Sequence, residues 1–155
     1  MELVYDPSRA GRCGRHPRQL VESAALVPEE RFRYFMDSLQ AYHHVWGLCR
    51  GRHWLLIHDG ASRLALPLWP TWEHAEDWNA HQYASWHKDY APRQIGKQTL
   101  MFDLLPLLVA DNLPLEVFCV PGSRGMVMPA DTFSDWLVTS DAVALDQAEC
   151  RQRVR

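Results

Sequence analysis

Between Val45 and Leu68 the chain switches from helical to strand-like patterning, and this switch restricts its fold more than any other feature. Three apolar runs, Val45 to Cys49, His53 to His58 and Arg63 to Leu68, are each five or six residues long, which suits strands and is short for helices. Arg50-Gly51-Arg52 and Asp59-Gly60-Ala61-Ser62 separate them, and glycine supplies the backbone freedom that tight hairpin links demand. The arrangement predicts a three-stranded antiparallel meander. In its middle run, alternation sets Trp54, Leu56 and His58 on one face and His53, Leu55 and Ile57 on the other. Both faces are substantially apolar, which predicts a central strand covered on both sides.

Helical patterns flank the meander. Pro28 suits a first helical position because its missing N–H would be unpaired there anyway. Glu29 and Glu30 favour the positive end of the helix dipole. Phe32, Phe35, Met36 and Leu39 then form one apolar stripe, predicting a helix over 28–42. After Pro67 and Pro70, Thr71 is placed to cap a helix on which Trp72, Ala75 and Trp78 are spaced to pack on the sheet. A short extended piece around Arg93 to Ile95 follows, then a helix carrying Leu100, Met101, Leu104, Leu105 and Leu108. Pro106 predicts a kink or break in that helix. Leu115 to Val120 reads as a strand that Pro121-Gly122-Ser123-Arg124-Gly125 turns into Met126 to Met128. Pro129 opens a last helix with Phe133, Trp136 and Leu137. The fold class expected is α+β: one compact domain over 28–140, an antiparallel meander plus a second hairpin, packed with about four helices. A basic arm over 1–27 and a polar tail over 141–155 flank it.

At 155 residues with 47% apolar and 23% charged residues, the chain is sized and composed like a single globular domain. A net charge of −3 argues against nucleic acid as the main partner. No apolar run reaches the ~18 residues of a membrane span. No signal-like stretch is present, and Cys13, Cys49, Cys119 and Cys150 form no CxxC pair. Reduced thiols in a cytoplasm are the expectation.

The residues able to carry chemistry form no compelling constellation. Gly11-Arg12-Cys13-Gly14 and Gly122-Ser123-Arg124-Gly125 lack the lysine and helix junction of a phosphate-binding loop. His74, Asp77 and His81 lie one or two helical turns apart and are the best metal-ligand trio. Tight pairs such as HExxH are absent, however, and no metal or other cofactor is expected. Ser85, His87 and Asp89 are too close in sequence for a triad built from separate elements. Cys49 near His53 has the blander reading of a buried strand cysteine. Glu73 and Glu76 sit where a helix dipole lowers both carboxyls rather than splitting them. The seven tryptophans remain, six of them between Trp46 and Trp86. Indoles fill cores and also anchor interfaces. Trp72 and Trp86 are the candidates for exposure, and Arg124 is a cation at a hairpin tip.

Arg33-Tyr34-Phe35, Val45-Trp46-Gly47-Leu48, Leu66-Pro67-Leu68-Trp69-Pro70, Tyr90-Ala91-Pro92 with Ile95, Leu104-Leu105-Pro106, and Phe118 to Met128 followed by Pro129 recur here in order. Over about residues 30–138 this pattern resembles the bacterial domain-of-unknown-function family numbered 2750. The resemblance brings no activity or catalytic residues. It implies binding only by analogy with small α+β immunity and accessory proteins. The expectation is therefore a cytoplasmic, non-enzymatic protein-interaction domain, in its specific form an immunity protein that neutralises a bacterial toxin. Trp72, Trp86 and Arg124 are its binding residues. The alternative is a small-ligand-binding protein or hydrolase with a pocket lined by Trp46, Trp54 and His58.

Overall fold

The computed structural model describes residues 17–59, 61, 63–82 and 88–153. Its elements run α1 (Pro17–Ala24), α2 (Pro28–Tyr42), β1 (His44–Arg50), β2 (His53–Trp54), β3 (Ile57–His58), β4 (Leu64–Leu68), α3 (Trp72–Ala80) and β5 (Ala91–Gly96). A short helix α4 (Lys97–Thr99), one π-turn (Leu100–Leu104), α5 (Leu105–Ala110), β6 (Leu115–Val117), β7 (Met126–Met128) and α6 (Ala130–Arg153) complete them. The class is α+β, as the patterning implies. Helix α1 lies within the stretch read as a basic arm, and α6 continues past Ser140 to Arg153. Among the described residues no helix is long and apolar enough to cross a membrane.

Helix α2 spans the predicted residues, and its stripe Phe32, Phe35, Met36 and Leu39 is buried. It stops where His43 turns left-handed (φ 59°), its N–H bonding the Leu39 carbonyl. Thr71 caps α3 through its hydroxyl, which accepts from the His74 N–H at 3.2 Å. Ala75 and Trp78 pack inward as predicted, whereas Trp72 is 42% exposed. The Pro106 expectation resolves as a π-turn one step upstream. The Leu105 N–H reaches back to the Leu100 carbonyl, and α5 restarts with the proline in its first turn, where no N–H is required.

The meander needs correction. Its middle run breaks at Leu55 and Leu56 into β2 and β3, which belong to different sheets. One sheet has the order β2-β1-β5, the other β3-β4-β6-β7. The run is thus an edge in both sheets rather than a central strand. The physical reason is competition for one edge of β1. The pairing of β1 with β2 covers Cys49 and Arg50, but further along Trp46 exchanges both backbone hydrogen bonds with Trp69, at 2.8 Å each. The middle run must therefore leave β1 and turn to β4.

The short piece before α4 is a full strand, β5, paired antiparallel with β1 from His44↔Gly96 to Cys49↔Ala91. Strands β6 and β7 form the predicted hairpin, and β6 also joins β4 in parallel, Leu66↔Leu115 to Leu68↔Val117. The strand expected to reach Val120 ends at Val117, because Phe118 adopts φ +57°. The core lies between the sheets and helices α2, α5 and α6. It is centred on Phe35, Leu39, Leu48, Leu66, Leu68, Trp69, Leu105, Phe118 and Phe133.

Candidate functional site

The parallel pairing of β4 with β6 brings together the start of both strands, the end of β7 and the β3–β4 turn. Across this end of the sheet runs an open cleft of about 600 Å³. Asp59 and Arg63 stand on the turn side of the cleft. Leu113 and Pro114 precede β6, Val127, Met128 and Pro129 end β7, Leu108 and Val109 come from α5, and Ala130, Asp131 and Thr132 open α6. Proline at 114 and 129 leaves neither position with a backbone donor. Val109 and Val127 line the cleft and remain exposed to solvent. Asp59 is held in place by N–H bonds from Ala61 (2.9 Å) and Arg63 (3.2 Å), and the Ala61 bond draws its carboxyl below the usual range.

Beside the cleft lies a buried polar knot. Arg31, on α2, is fully buried and reaches the segment after β6. Its guanidinium donates to the Phe118 carbonyl (2.9 Å), the Ser123 hydroxyl (2.9 Å) and the Arg124 carbonyl (2.8 Å). Burial lowers its pKa, and Nε has no partner among the described residues. Phe118 sits in the left-handed region, where a bulky residue is strained by roughly 1–2 kcal/mol. The Arg31 bond to its carbonyl and its own N–H bond to the Leu68 carbonyl (2.9 Å) hold it there. Glu116, on β6, is 1% exposed and accepts from the Gly125 N–H at 3.0 Å. Burial raises its carboxyl pKa, opposed by the Gly125 N–H and by Arg124 at 3.4 Å. Cys119 is buried, and desolvation raises its thiol pKa well above the ordinary value, so it stays a thiol.

The residues singled out from sequence do not converge. Arg124 is half-exposed and braces the turn, donating to the His58 carbonyl and contacting Glu116. Trp72 stands on the first turn of α3, and Trp86 lies outside the described residues. The proposed Trp46, Trp54 and His58 pocket is not assembled. Trp54 is opposite Cys49, three residues from Trp46 on β1, so the two indoles leave opposite faces of the sheet. Trp46 is buried, and His58 is exposed in the other sheet.

His74 and His81 point to different surroundings. His74 is buried, with Nδ1 2.6 Å from the Thr71 hydroxyl and Nε2 2.7 Å from the Ser23 hydroxyl. The Ser23 hydroxyl also lies 3.2 Å from the Leu20 carbonyl of its own helix. The Ser23–His74 contact links α1 to α3. His81 instead bonds the Asp77 carbonyl of its own helix at 2.6 Å. Among the described residues no three His, Cys, Asp or Glu are placed to hold a metal ion. Cys49 and His53 lie on adjacent register positions and face opposite sides, since Cys49 opposes Trp54 and His53 opposes Arg50. Ser85 and His87 lie outside the described residues.

Arg31 and Glu116 were missed by sequence reasoning. A signal existed for Arg31, which lies one helical turn before Phe35 and so shares its inward face.

The profile of a family described as "Protein of unknown function (DUF2750)" matches residues 32–137. No curated protein and no solved structure matches the chain.

Proposed function

Since the chain belongs to the DUF2750 family, whose description carries no activity, we propose from its geometry that it is a non-enzymatic protein-interaction domain whose partner seats in the cleft at the β4–β6 end of the sheet. One observation carries this reading. Val109 and Val127 stay exposed in a cleft that Leu108, Leu113, Pro114 and Met128 also line, together with the polar groups of Asp59, Arg63, Asn112, Asp131 and Thr132. Exposed apolar side chains set among polar groups suit a protein-binding surface. The residues that would otherwise suggest chemistry are engaged structurally: His74 links α1 to α3, Glu116 and Arg31 hold the 118–125 segment, and Cys119 is buried. A toxin neutralised by its immunity protein is the specific form of this reading.

The test is capture of partner proteins from a lysate of the source cells on the immobilised chain, identified by mass spectrometry, with Val109→Asp/Val127→Asp as control. Both side chains are exposed, so the variant is expected to fold. A specific partner lost with the double variant is the expected result, and neutralisation of that partner's toxicity would give the specific form. Capture that the double variant leaves unchanged would refute the use of this cleft. The small-ligand alternative also has an observation in its favour: about 600 Å³ falls within the range of small-molecule sites. A compound that stabilises the chain thermally, with the gain lost in Val127→Asp, would select it.

A further inference from the structure

We infer that the end of the first sheet, around the β1–β2 turn, is a second binding site, built for a cluster of carboxylates on an acidic protein segment. The inference does not depend on the cleft. Arg50 ends β1, Arg52 lies in the turn and Arg93 is on β5, opposite Gly47. Each of two guanidiniums lies over an aromatic ring. Arg93 is 5.9 Å from the centroid of Trp54, and Arg50 is 5.4 Å from that of Tyr90. Trp54 can lie across β1 because residue 47 is glycine: a Cβ there would come within 2.8 Å of the indole. Arg93 is further oriented by the Gly51 carbonyl at 3.4 Å.

A guanidinium held against a ring keeps N–H groups available for a carboxylate; on Arg93, Nη1 is turned to the Gly51 carbonyl and to Cys49 Sγ (3.8 Å), which leaves the other nitrogens for an occupant. Among the described residues, neither Arg50, Arg52 nor Arg93 has a carboxylate within 4.0 Å. Exposed Lys88 adds a cation shortly before β5, and Asp89 is the acid beside it. Register shows how the site is laid out. Arg93 and Trp54 share one face of β1, and Arg50 and Tyr90 the other, so an occupant crossing the strand ends meets a stacked cation on each side.

The size of the site chooses the class of occupant. Three or four cations neutralise too few phosphates to hold a nucleic acid against salt, and the chain as a whole carries a net charge of −3. A short run of aspartates or glutamates fits the same footprint and suffers less repulsion from the rest of the molecule.

The experiment measures fluorescence anisotropy of a fluorescein-labelled octaglutamate peptide at 50 mM salt. Octalysine, inorganic phosphate and a single-stranded oligonucleotide are compared. Saturable binding of octaglutamate is expected, weakened at least tenfold in Arg50→Gln/Arg93→Gln and further when Arg52→Gln is added. Because Arg93→Gln also removes a stack on Trp54, circular dichroism and urea melts accompany it. Arg50→Gln likewise gives up its contact with the Tyr90 ring and is checked the same way; Arg52→Gln, at an exposed turn position, is the variant whose fold is safe, and it should lose affinity by itself. Arg93→Lys, which keeps the charge without the fork, should bind more weakly than the native chain. Absence of octaglutamate binding, binding unchanged in the variants, or tighter binding of the oligonucleotide would each overturn the inference.

Discussion

Replacing Arg31 with methionine keeps an unbranched stem as far as about the Nε position and deletes every hydrogen bond the guanidinium makes. Three acceptors lose a donor: the carbonyls of Phe118 and Arg124 and the hydroxyl of Ser123. They are not equivalent. Phe118 is fully buried, so its carbonyl cannot recruit water and carries the penalty of an orphaned polar group, roughly 1–3 kcal/mol. Ser123 and Arg124 are exposed and can rehydrate, leaving a loss of about 0.5–1 kcal/mol each. In the other direction, a guanidinium whose Nε has no partner no longer has to be stripped of water, which offsets on the order of 1 kcal/mol. The net is a destabilisation of about 2–3 kcal/mol, or roughly 5–10 °C in Tm for a chain of this size. Urea melts followed by circular dichroism read it as a lowered midpoint at unchanged slope. Arg31→Lys should fall between, because an ammonium keeps the charge but cannot span three acceptors in one plane. A methionine variant matching the native chain within about 0.5 kcal/mol would refute the idea that Arg31 holds the 118–125 segment.

Gly125→Ala places a Cβ 2.3 Å from the Val117 carbonyl oxygen and 2.8 Å from the Cys119 nitrogen, both backbone atoms that cannot step aside. A loss of about 3 kcal/mol is expected in urea melts, against about 1 kcal/mol for Gly47→Ala, where only the half-buried Trp54 ring must move. Thr71→Ala removes the cap of α3 and the hydroxyl paired with His74 Nδ1; a drop of about 1–2 kcal/mol is expected, and one below a few tenths would deny the cap its role. For Glu116 the sign follows from burial. Its native pKa lies above the ordinary value of 4.5, so the native state holds the proton to higher pH than the unfolded chain. The stabilisation this gives is complete below 4.5 and is lost as pH rises through the native pKa. Stability of Glu116→Gln relative to the native chain should therefore rise over that window; a difference independent of pH between 4 and 7 would contradict the assignment.

What sequence made legible was whatever local chemistry decides. Helix α2 has a proline, two glutamates and a clean apolar stripe, and each points to the same element. Thr71 caps its helix because a hydroxyl at that position meets free N–H groups whatever lies beyond. The break at Leu55 and Leu56 is of another kind. Either half of that run is a good strand, and the break arises only because Trp69, from fifteen residues downstream of Trp54, takes the edge of β1 that an unbroken strand would occupy. Local pattern carries no information about that competition.

The candidate site is further removed from local pattern still. Its cleft is made by laying β6 parallel to β4, and the crossover between them contains α3, β5, α4 and α5. Asp59, Val109 and Val127 acquire a common address only through that long-range pairing. The polar knot beside it combines both cases. Arg31 faces inward by helical period alone, but the partners that make its burial tolerable lie 87 to 93 residues away. A buried guanidinium without acceptors would be intolerable in the core. The 118–125 segment, with Phe118 held in a strained backbone state, is therefore shaped by the arginine as much as the arginine is satisfied by it. Helix α2 and the β6–β7 connection must then form as one unit, so disturbance of either should reach Val127 and the cleft.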